Sequence, residues 1–216
     1  MLKNHSLRLT EIFFSLQGET RTVGLPTVFI RLTGCPLRCQ YCDTTYAFQG
    51  GEWVGIDAIL VEVKKYQTRY VTVTGGEPLA QKACLFLLKQ LCDEGYSVSL
   101  ETSGAFDISE VDKRVVKVLD IKTPGSLEDQ KNHWANIDYL LPQDQIKFVI
   151  CHLEDYIWAK ETIVRYDLSK RCEILFSPSY EEMNPSQLAD WIVKDQLQVR
   201  MQIQLHKVLW GDVPGR

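Results

Sequence analysis

Three cysteines within one eight-residue stretch, Cys35, Cys39 and Cys42, are the side chains best placed to do chemistry in this chain. They sit in the run Arg31-Leu32-Thr33-Gly34-Cys35-Pro36-Leu37-Arg38-Cys39-Gln40-Tyr41-Cys42-Asp43-Thr44, directly after the apolar, β-type Val28-Phe29-Ile30. Thiolates spaced C-x3-C-x2-C are close enough in sequence to be able to converge on one metal centre. An iron–sulfur cubane has four irons, and ferredoxin-type sites give each a cysteine, so a three-cysteine loop leaves one iron without a protein ligand. An open position admits an outside molecule, which separates catalytic metal sites from closed structural ones. A structural zinc site is the alternative. It needs a fourth Cys or His, usually at short spacing, and His5, His133, His152 and His206 all lie far from the loop in sequence.

The cysteine loop resembles that of the radical S-adenosylmethionine (SAM) superfamily. That resemblance implies a 4Fe-4S cluster on Cys35, Cys39 and Cys42, with SAM on its open iron and a 5′-deoxyadenosyl radical formed by one-electron reduction. Thr74-Gly75-Gly76-Glu77-Pro78, read alone, is a strand-to-helix turn. Its glycines permit close backbone approach and its proline suits a helix start. Beside the cysteine loop it resembles the segment that holds the methionine part of SAM, with the backbone of Gly75 and Gly76 facing the amino group and Glu77 assisting. By the same resemblance Tyr41, Cys42, Asp43, Gly76, Glu77, Ser103, Asp120, Ile121, Lys122, Phe176, Ser177, Pro178 and Ser179 are the expected SAM-binding set. Ser103 and Lys122 take the ribose and carboxylate; as bare residues they read equally as solvent-facing polar groups.

A narrower likeness spans almost the whole chain. Glu11–Glu19, the run from Gly24 to Cys35, Cys42-Asp43-Thr44, the Gly-Gly-Glu-Pro segment, Glu101-Thr102-Ser103-Gly104 and Gln204-Leu205-His206-Lys207 resemble the 7-carboxy-7-deazaguanine synthase family. The resemblance implies ring contraction of 6-carboxy-5,6,7,8-tetrahydropterin with loss of ammonia, in queuosine biosynthesis for tRNA modification, with SAM used catalytically and Mg²⁺ required. Leu16, Gln17, Gly18 and Glu19 would then read the pterin edge, and a carboxylate beside backbone groups suits its N–H donors. Arg31 would fork onto the substrate carboxylate. Thr74, Gly75 and His206 match substrate positions and Thr44 the magnesium ligand, whose few protein oxygens leave room for substrate and water. No catalytic side chain is assigned beyond the cluster and SAM. The tail Val208–Arg216 continues past the His-Lys pair, and no group in it is given a role.

These motifs need a scaffold that brings them together. Strand-like runs fall at 8–14, 27–33, 70–74, 96–101, 115–121, 146–151, 172–176 and 200–205. Helical periodicity marks 56–66, 80–93, 109–114, 153–166 and 185–195, with Leu188, Trp191 and Ile192 turned inward in the last. The polar stretch 122–133 reads as a loop free to move. Strand–helix alternation gives parallel strands with outer helices. The count falls short of eight units, so the expected fold is α/β: an incomplete TIM-like barrel of the radical SAM type, with a strand or hairpin at its N-terminal edge and one domain over 1–216. Each motif follows or ends a strand, and in such folds ligands bind at the strands' carboxyl ends.

Composition bounds the rest. The chain has 216 residues, a net charge of −4 and no apolar stretch near the ~20 residues of a membrane span. No apolar signal core follows Met1–Ser6, so the expectation is a cytoplasmic protein. Net acidity argues against a nucleic-acid-binding face and for a small-molecule substrate. Seven cysteines, three of them in one loop, suit a reducing compartment. Cys84 and Cys92 lie on an apolar helical stripe and Cys151 and Cys172 in or beside strands, so all four are read as core. The expected partners are the pterin, an electron donor such as flavodoxin and a second copy in a homodimer, with neither nucleic acid nor membrane. Two rivals stay open: a glycyl-radical activase working on a protein, and a non-catalytic cysteine–metal module.

Overall fold

The structure, a computed structural model, describes residues 6–211, 213 and 215. Most of Met1–Ser6 and part of the 208–216 tail therefore lie outside the described residues. Nine strands form one open sheet: β1 Ser6–Leu16, β2 Pro26–Leu32, β3 Glu52–Gly55, β4 Tyr70–Gly75, β5 Ser97–Thr102, β6 Val116–Asp120, β7 Gln145–Ile150, β8 Glu173–Pro178 and β9 Arg200–Met201. Their order is β3-β1-β2-β4-β5-β6-β7-β8-β9. From β2 to β9 every pairing is parallel, whereas β1 runs antiparallel to both β2 and β3, which leaves β3 as the edge strand.

Side chains alternate across a strand, and here the alternation separates packing from chemistry. Val28, Ile30 and Leu32 of β2, Val71 and Val73 of β4, Ile146, Phe148 and Ile150 of β7, and Ile174 and Phe176 of β8 all join one apolar core. Helices α1 Ile56–Val63, α2 Cys84–Asp93, α3 Leu153–Arg165 and α4 Pro185–Lys194 add Ile59, Leu87, Leu88, Ile163 and Leu188 to it. The intervening positions Arg31, Thr74, Glu101, Asp120, Lys147 and Ser177 line cavities on the sheet's other face. The sheet is therefore a cup with a greasy outside and a polar inside.

Three local expectations need correction. No helix forms at 109–114. Asp107 and Asp112 accept the backbone N–H groups of Ser109 and Arg114 (2.8 and 3.0 Å), giving the chain turns in place of a helix. The final strand is only Arg200–Met201, and a short helix, α5 Leu205–Trp210, carries the Leu-His-Lys segment. The 122–133 stretch is tied down: Asn132 bonds both the N–H and the C=O of Lys122 (2.9 and 2.8 Å), and Thr123 and Ser126 are fully buried. Short 3-10 turns at Pro124–Ser126, Asp129–Lys131 and Trp134–Tyr139 replace a crossover helix there. Cys84, Cys92 and Cys151 are buried, while Cys172 is only partly so.

Candidate active site

At the carboxyl ends of the parallel strands two chambers open side by side. The first is lined by Cys35, Cys39, Tyr41, Cys42, Gly76, Ser103, Asp120, Lys122, Ser177, Pro178 and Ser179. The second is lined by Leu16, Gln17, Gly18, Arg31 and His206. Glu19, Asp43, Thr44, Thr74, Gly75, Glu101, Lys147 and Gln204 belong to both. The residues expected from sequence to hold the cofactor and those expected to hold the substrate thus occupy separate rooms with a common wall. Glu77, Ile121 and Phe176 are exceptions, for they line neither chamber. Ile121 and Phe176 belong to the apolar core, Phe176 packing edge-on against Phe148 and Tyr156.

Glu77 works behind the wall. Fully buried, it accepts from Leu79 N–H, Thr102 Oγ1, Ser103 N–H and Ser103 Oγ. Four donors satisfy a buried carboxylate and fix the backbone at the end of β5. The glycines before it are dictated by close approach. A Cβ on Gly75 would come 2.2 Å from Leu32 O, and one on Gly76 would come 2.3 Å from Gly34 O and 2.9 Å from Cys35 Cβ. Gly76 N–H donates to Leu32 O and Glu77 N–H to Gly34 O (3.0 and 2.7 Å). The segment after β4 is therefore zipped to the start of the cysteine loop.

The cysteine donors fit an iron–sulfur cluster. Cys35, Cys39 and Cys42 are free thiols, partly exposed, on one chamber. Among the described residues no three His, Cys, Asp or Glu side chains gather on a single ion. A cubane makes no such demand, since each thiolate takes its own iron. Burial pushes the Cys39 thiol up to about 11, with Lys122 pulling it down; iron coordination would hold it as thiolate instead. Two polar atoms of this chamber, Tyr41 Oη and Asp120 Oδ1, are buried without a hydrogen-bond partner. The other oxygen of Asp120 accepts from Lys122 Nζ (2.8 Å). An orphaned acceptor and an orphaned hydroxyl on a cavity wall mark places for ligand polar groups.

The second chamber is built around buried charge. Lys147 reaches from β7 to the carboxylate of Glu19; burial works against its charge, yet Glu19, Asp120 and Glu101 hold its pKa above the ordinary lysine value. Glu101 accepts from Thr74 Oγ1 (3.1 Å) and Gln17 Nε2 (3.4 Å). Burial, then the Glu19 charge, raises its pKa. Arg31 spends its Nε on Glu11 (2.7 Å) and lies over the rings of Phe13 and Tyr46. His206 rests on the backbone of Gly18, where a Cβ would come 2.1 Å from its Nδ1. Burial lowers its pKa, against the pull of Glu19 and Asp43. Asp43 stays exposed at the mouth; partial desolvation works against its charge, but Lys207 (3.0 Å), Thr44 and Gln204 hold it well below the usual carboxylate range. Gln202 accepts from Thr20 N–H (2.8 Å), and Gly18 O accepts from Leu205 N–H (3.0 Å). The last turn of the fold thereby closes on the first.

Glu101 and Lys147 have no role in the sequence reading. Each is an interior-facing charge on a strand whose alternate residues enter the core, Val98 and Leu100 in Ser-Val-Ser-Leu-Glu-Thr and Ile146, Phe148 and Ile150 in Gln-Ile-Lys-Phe-Val-Ile. That alternation was the available signal. A pH prediction follows for Glu101. Its folded pKa is raised, so its contribution to stability is present below the ordinary value of 4.5 and is lost as pH rises through the folded value. Glu101→Gln should therefore melt higher than wild type at neutral pH, with the difference shrinking toward pH 4. Thermal melts of both cluster-free proteins across that range check it; equal differences at all pH values would contradict it.

Known proteins bear on these chambers as follows. The profile of the Radical SAM superfamily matches residues 29–120. A 7-carboxy-7-deazaguanine synthase of Chlorobaculum tepidum is 42% identical, covering 95% of this chain and 94% of the relative. Those of Koribacter versatilis and Thermoplasma acidophilum are 40% and 36% identical, covering 94% and 96% of this chain and 97% and 99% of the relatives. The crystal structure of QueE from Escherichia coli superposes with a TM-score of 0.71 at 22% identity, over 92% of this chain and 94% of that one, and speaks for the shared fold.

Proposed function

Since the chain belongs to the 7-carboxy-7-deazaguanine synthases, radical SAM enzymes that imply a 4Fe-4S cluster and SAM, we propose that it is a lyase of queuosine biosynthesis. It converts 6-carboxy-5,6,7,8-tetrahydropterin to 7-carboxy-7-deazaguanine with loss of ammonia. The observation that carries this reading is the pair of chambers sharing a wall, one lined by three free thiols and the other by Glu19, Arg31 and His206.

When bound, the cluster and SAM would supply radical chemistry able to abstract hydrogen from the pterin. The residues of this chain do the positioning. Cys35, Cys39 and Cys42 would hold the irons. Tyr41, Asp43, Gly76, Ser103, Asp120, Lys122, Ser177, Pro178 and Ser179 shape the SAM side, and Glu77, Ile121 and Phe176 stiffen it from behind. Leu16, Gln17, Gly18 and Glu19 face the pterin edge. Arg31, with Nε already spent, keeps its terminal nitrogens for the substrate carboxylate. Thr74, Gly75 and His206 complete that room, with burial lowering the His206 pKa against the pull of Glu19 and Asp43. Thr44, on the common wall, would offer its hydroxyl oxygen to Mg²⁺, a cation that needs few protein oxygens.

The enzyme is a single domain that works in the cytoplasm as a homodimer, takes electrons from a carrier such as flavodoxin, and acts on a free small molecule without nucleic acid or membrane. Exposed Phe14 of β1, with Val23 and Leu25 of the turn before β2, suits a dimer face, and no helix of the described residues is long and apolar enough to cross a membrane. A chamber lined by Glu19, Arg31, Glu101 and Lys147 suits a small polar substrate better than a protein's glycyl segment. Anaerobic reconstitution with the tetrahydropterin, SAM, Mg²⁺ and reductant should release the carboxy-deazaguanine and ammonia without net consumption of SAM. Vigorous SAM cleavage with no such product would reject the substrate.

A further inference from the structure

The segment between β6 and β7 does more than close a crossover. It bonds the middle of the cysteine loop. Gln40 N–H donates to Ser126 O (3.2 Å), and Arg38 N–H donates to the carboxylate of Glu128. These amides flank Cys39. The receiving turn is itself anchored from below. Ser126 Oγ donates to Thr123 O (2.6 Å) and accepts Glu128 N–H (3.1 Å), and Thr123 Oγ1 donates to Val149 O of β7 (2.9 Å). Asp155, fully buried on α3, accepts Gly125 N–H (2.8 Å) and Cys151 N–H (3.0 Å). Between the two contacting residues, Leu127 is left-handed (φ 63°) and 74% exposed. A leucine rarely adopts that backbone, and it persists only where its surroundings over-determine it.

Two physical consequences meet at Cys39. The brace fixes the loop backbone from outside. It also turns the Arg38 and Gln40 amides toward Glu128 and Ser126, so they are not spent on cluster sulfur, and it sets a carboxylate beside the loop. Amide bonds to sulfur and positive surroundings raise a cluster's potential, and negative charge lowers it. The Arg38 guanidinium is occupied on the loop's own carbonyls, Cys35 O and Leu37 O (both 2.6 Å). We propose that Glu128 is a positioning residue that holds the cysteine loop in shape and keeps the potential of the cluster low. This rests on the cluster assignment made above, but not on the identity of the substrate.

The test uses Glu128→Gln, Glu128→Ala and, as a control on the exposed face of α3, Glu161→Gln. In the anaerobically reconstituted holoenzymes a potentiometric titration read by electron paramagnetic resonance should show an upward shift for both Glu128 variants and none for Glu161→Gln. In the cluster-free proteins, amide exchange over residues 37–40 should accelerate several-fold in Glu128→Ala and less in Glu128→Gln, whose amide oxygen still accepts. A wild-type potential together with wild-type exchange in Glu128→Gln and Glu128→Ala would overturn the proposal. If Glu128→Ala fails to assemble, Glu128→Gln decides. If the wild-type protein turns over no tetrahydropterin yet the potentials shift, the substrate assignment fails and the brace stands. If no cluster assembles in wild type, the potential-setting role falls and the exchange data alone judge the brace.

Discussion

Cys39→Ala protein, reconstituted anaerobically with iron and sulfide, should take up no stable four-iron cluster and should cleave no SAM, while Cys84→Ala should keep both properties. The two substitutions remove the same atom from different surroundings. Cys39 opens onto the first chamber with Cys35 and Cys42, and the loop supplies no spare thiol. Losing one of three anchors leaves two irons without protein ligands. Cys84 is fully buried in α2 within the apolar core, and burial drives its thiol pKa far above the ordinary value. It packs as a small hydrophobe, and truncation costs on the order of 1–2 kcal/mol of stability. Iron analysis, the optical spectrum and a denaturant melt of each variant separate the outcomes. Matching behaviour of the two proteins would mean that the sorting of the thiols is mistaken.

Gly76→Ala should do nearly as much harm without touching a thiol. The added methyl would lie 2.3 Å from Gly34 O and 2.9 Å from Cys35 Cβ. Backbone cannot yield as a flexible side chain does, so either the β4 segment or the head of the cysteine loop must move. Both are joined by Glu77 N–H to Gly34 O, and Glu77 in turn anchors Ser103. Overpacking of this kind costs about 1–3 kcal/mol or more, and here the displacement falls on a cluster ligand. The expected result is a folded protein with reduced iron content and SAM cleavage lowered at least tenfold. Gly95→Ala offers a contrast, because its methyl would meet nothing within 4 Å while its φ of +89° still strains the backbone. That variant should lose stability and keep its iron. Full iron occupancy in Gly76→Ala would show that the loop accommodates the methyl.

Much of the fold was legible because its signals are local. Period-2 runs gave the parallel strands and period-3.6 stripes gave α1 to α4, since each depends on a residue's own neighbours in sequence. The misreadings sit where a side chain competes with the backbone. Asp107 and Asp112 turned an apparent helix at 109–114 into turns. Asn132, with Thr123 and Ser126 buried, turned a polar loop into an anchored brace. In both places polar composition reads as solvent exposure, and only the partners reveal burial.

Taken alone, the amino-acid order determined the chemistry: C-x3-C-x2-C spacing sets a three-thiolate site wherever the chain places it, and the resemblance built on it named the reaction. It also determined that the motifs end strands, and hence that they meet at one end of the sheet. Tertiary structure decided which carboxylates face that meeting point. Glu77 was turned inward as a strut, while Glu101 and Lys147 became walls of the pocket. Sequence does not separate these cases because a carboxylate's role is set by what lies within about 3 Å of it, and those neighbours come from strands 25 to 128 residues away.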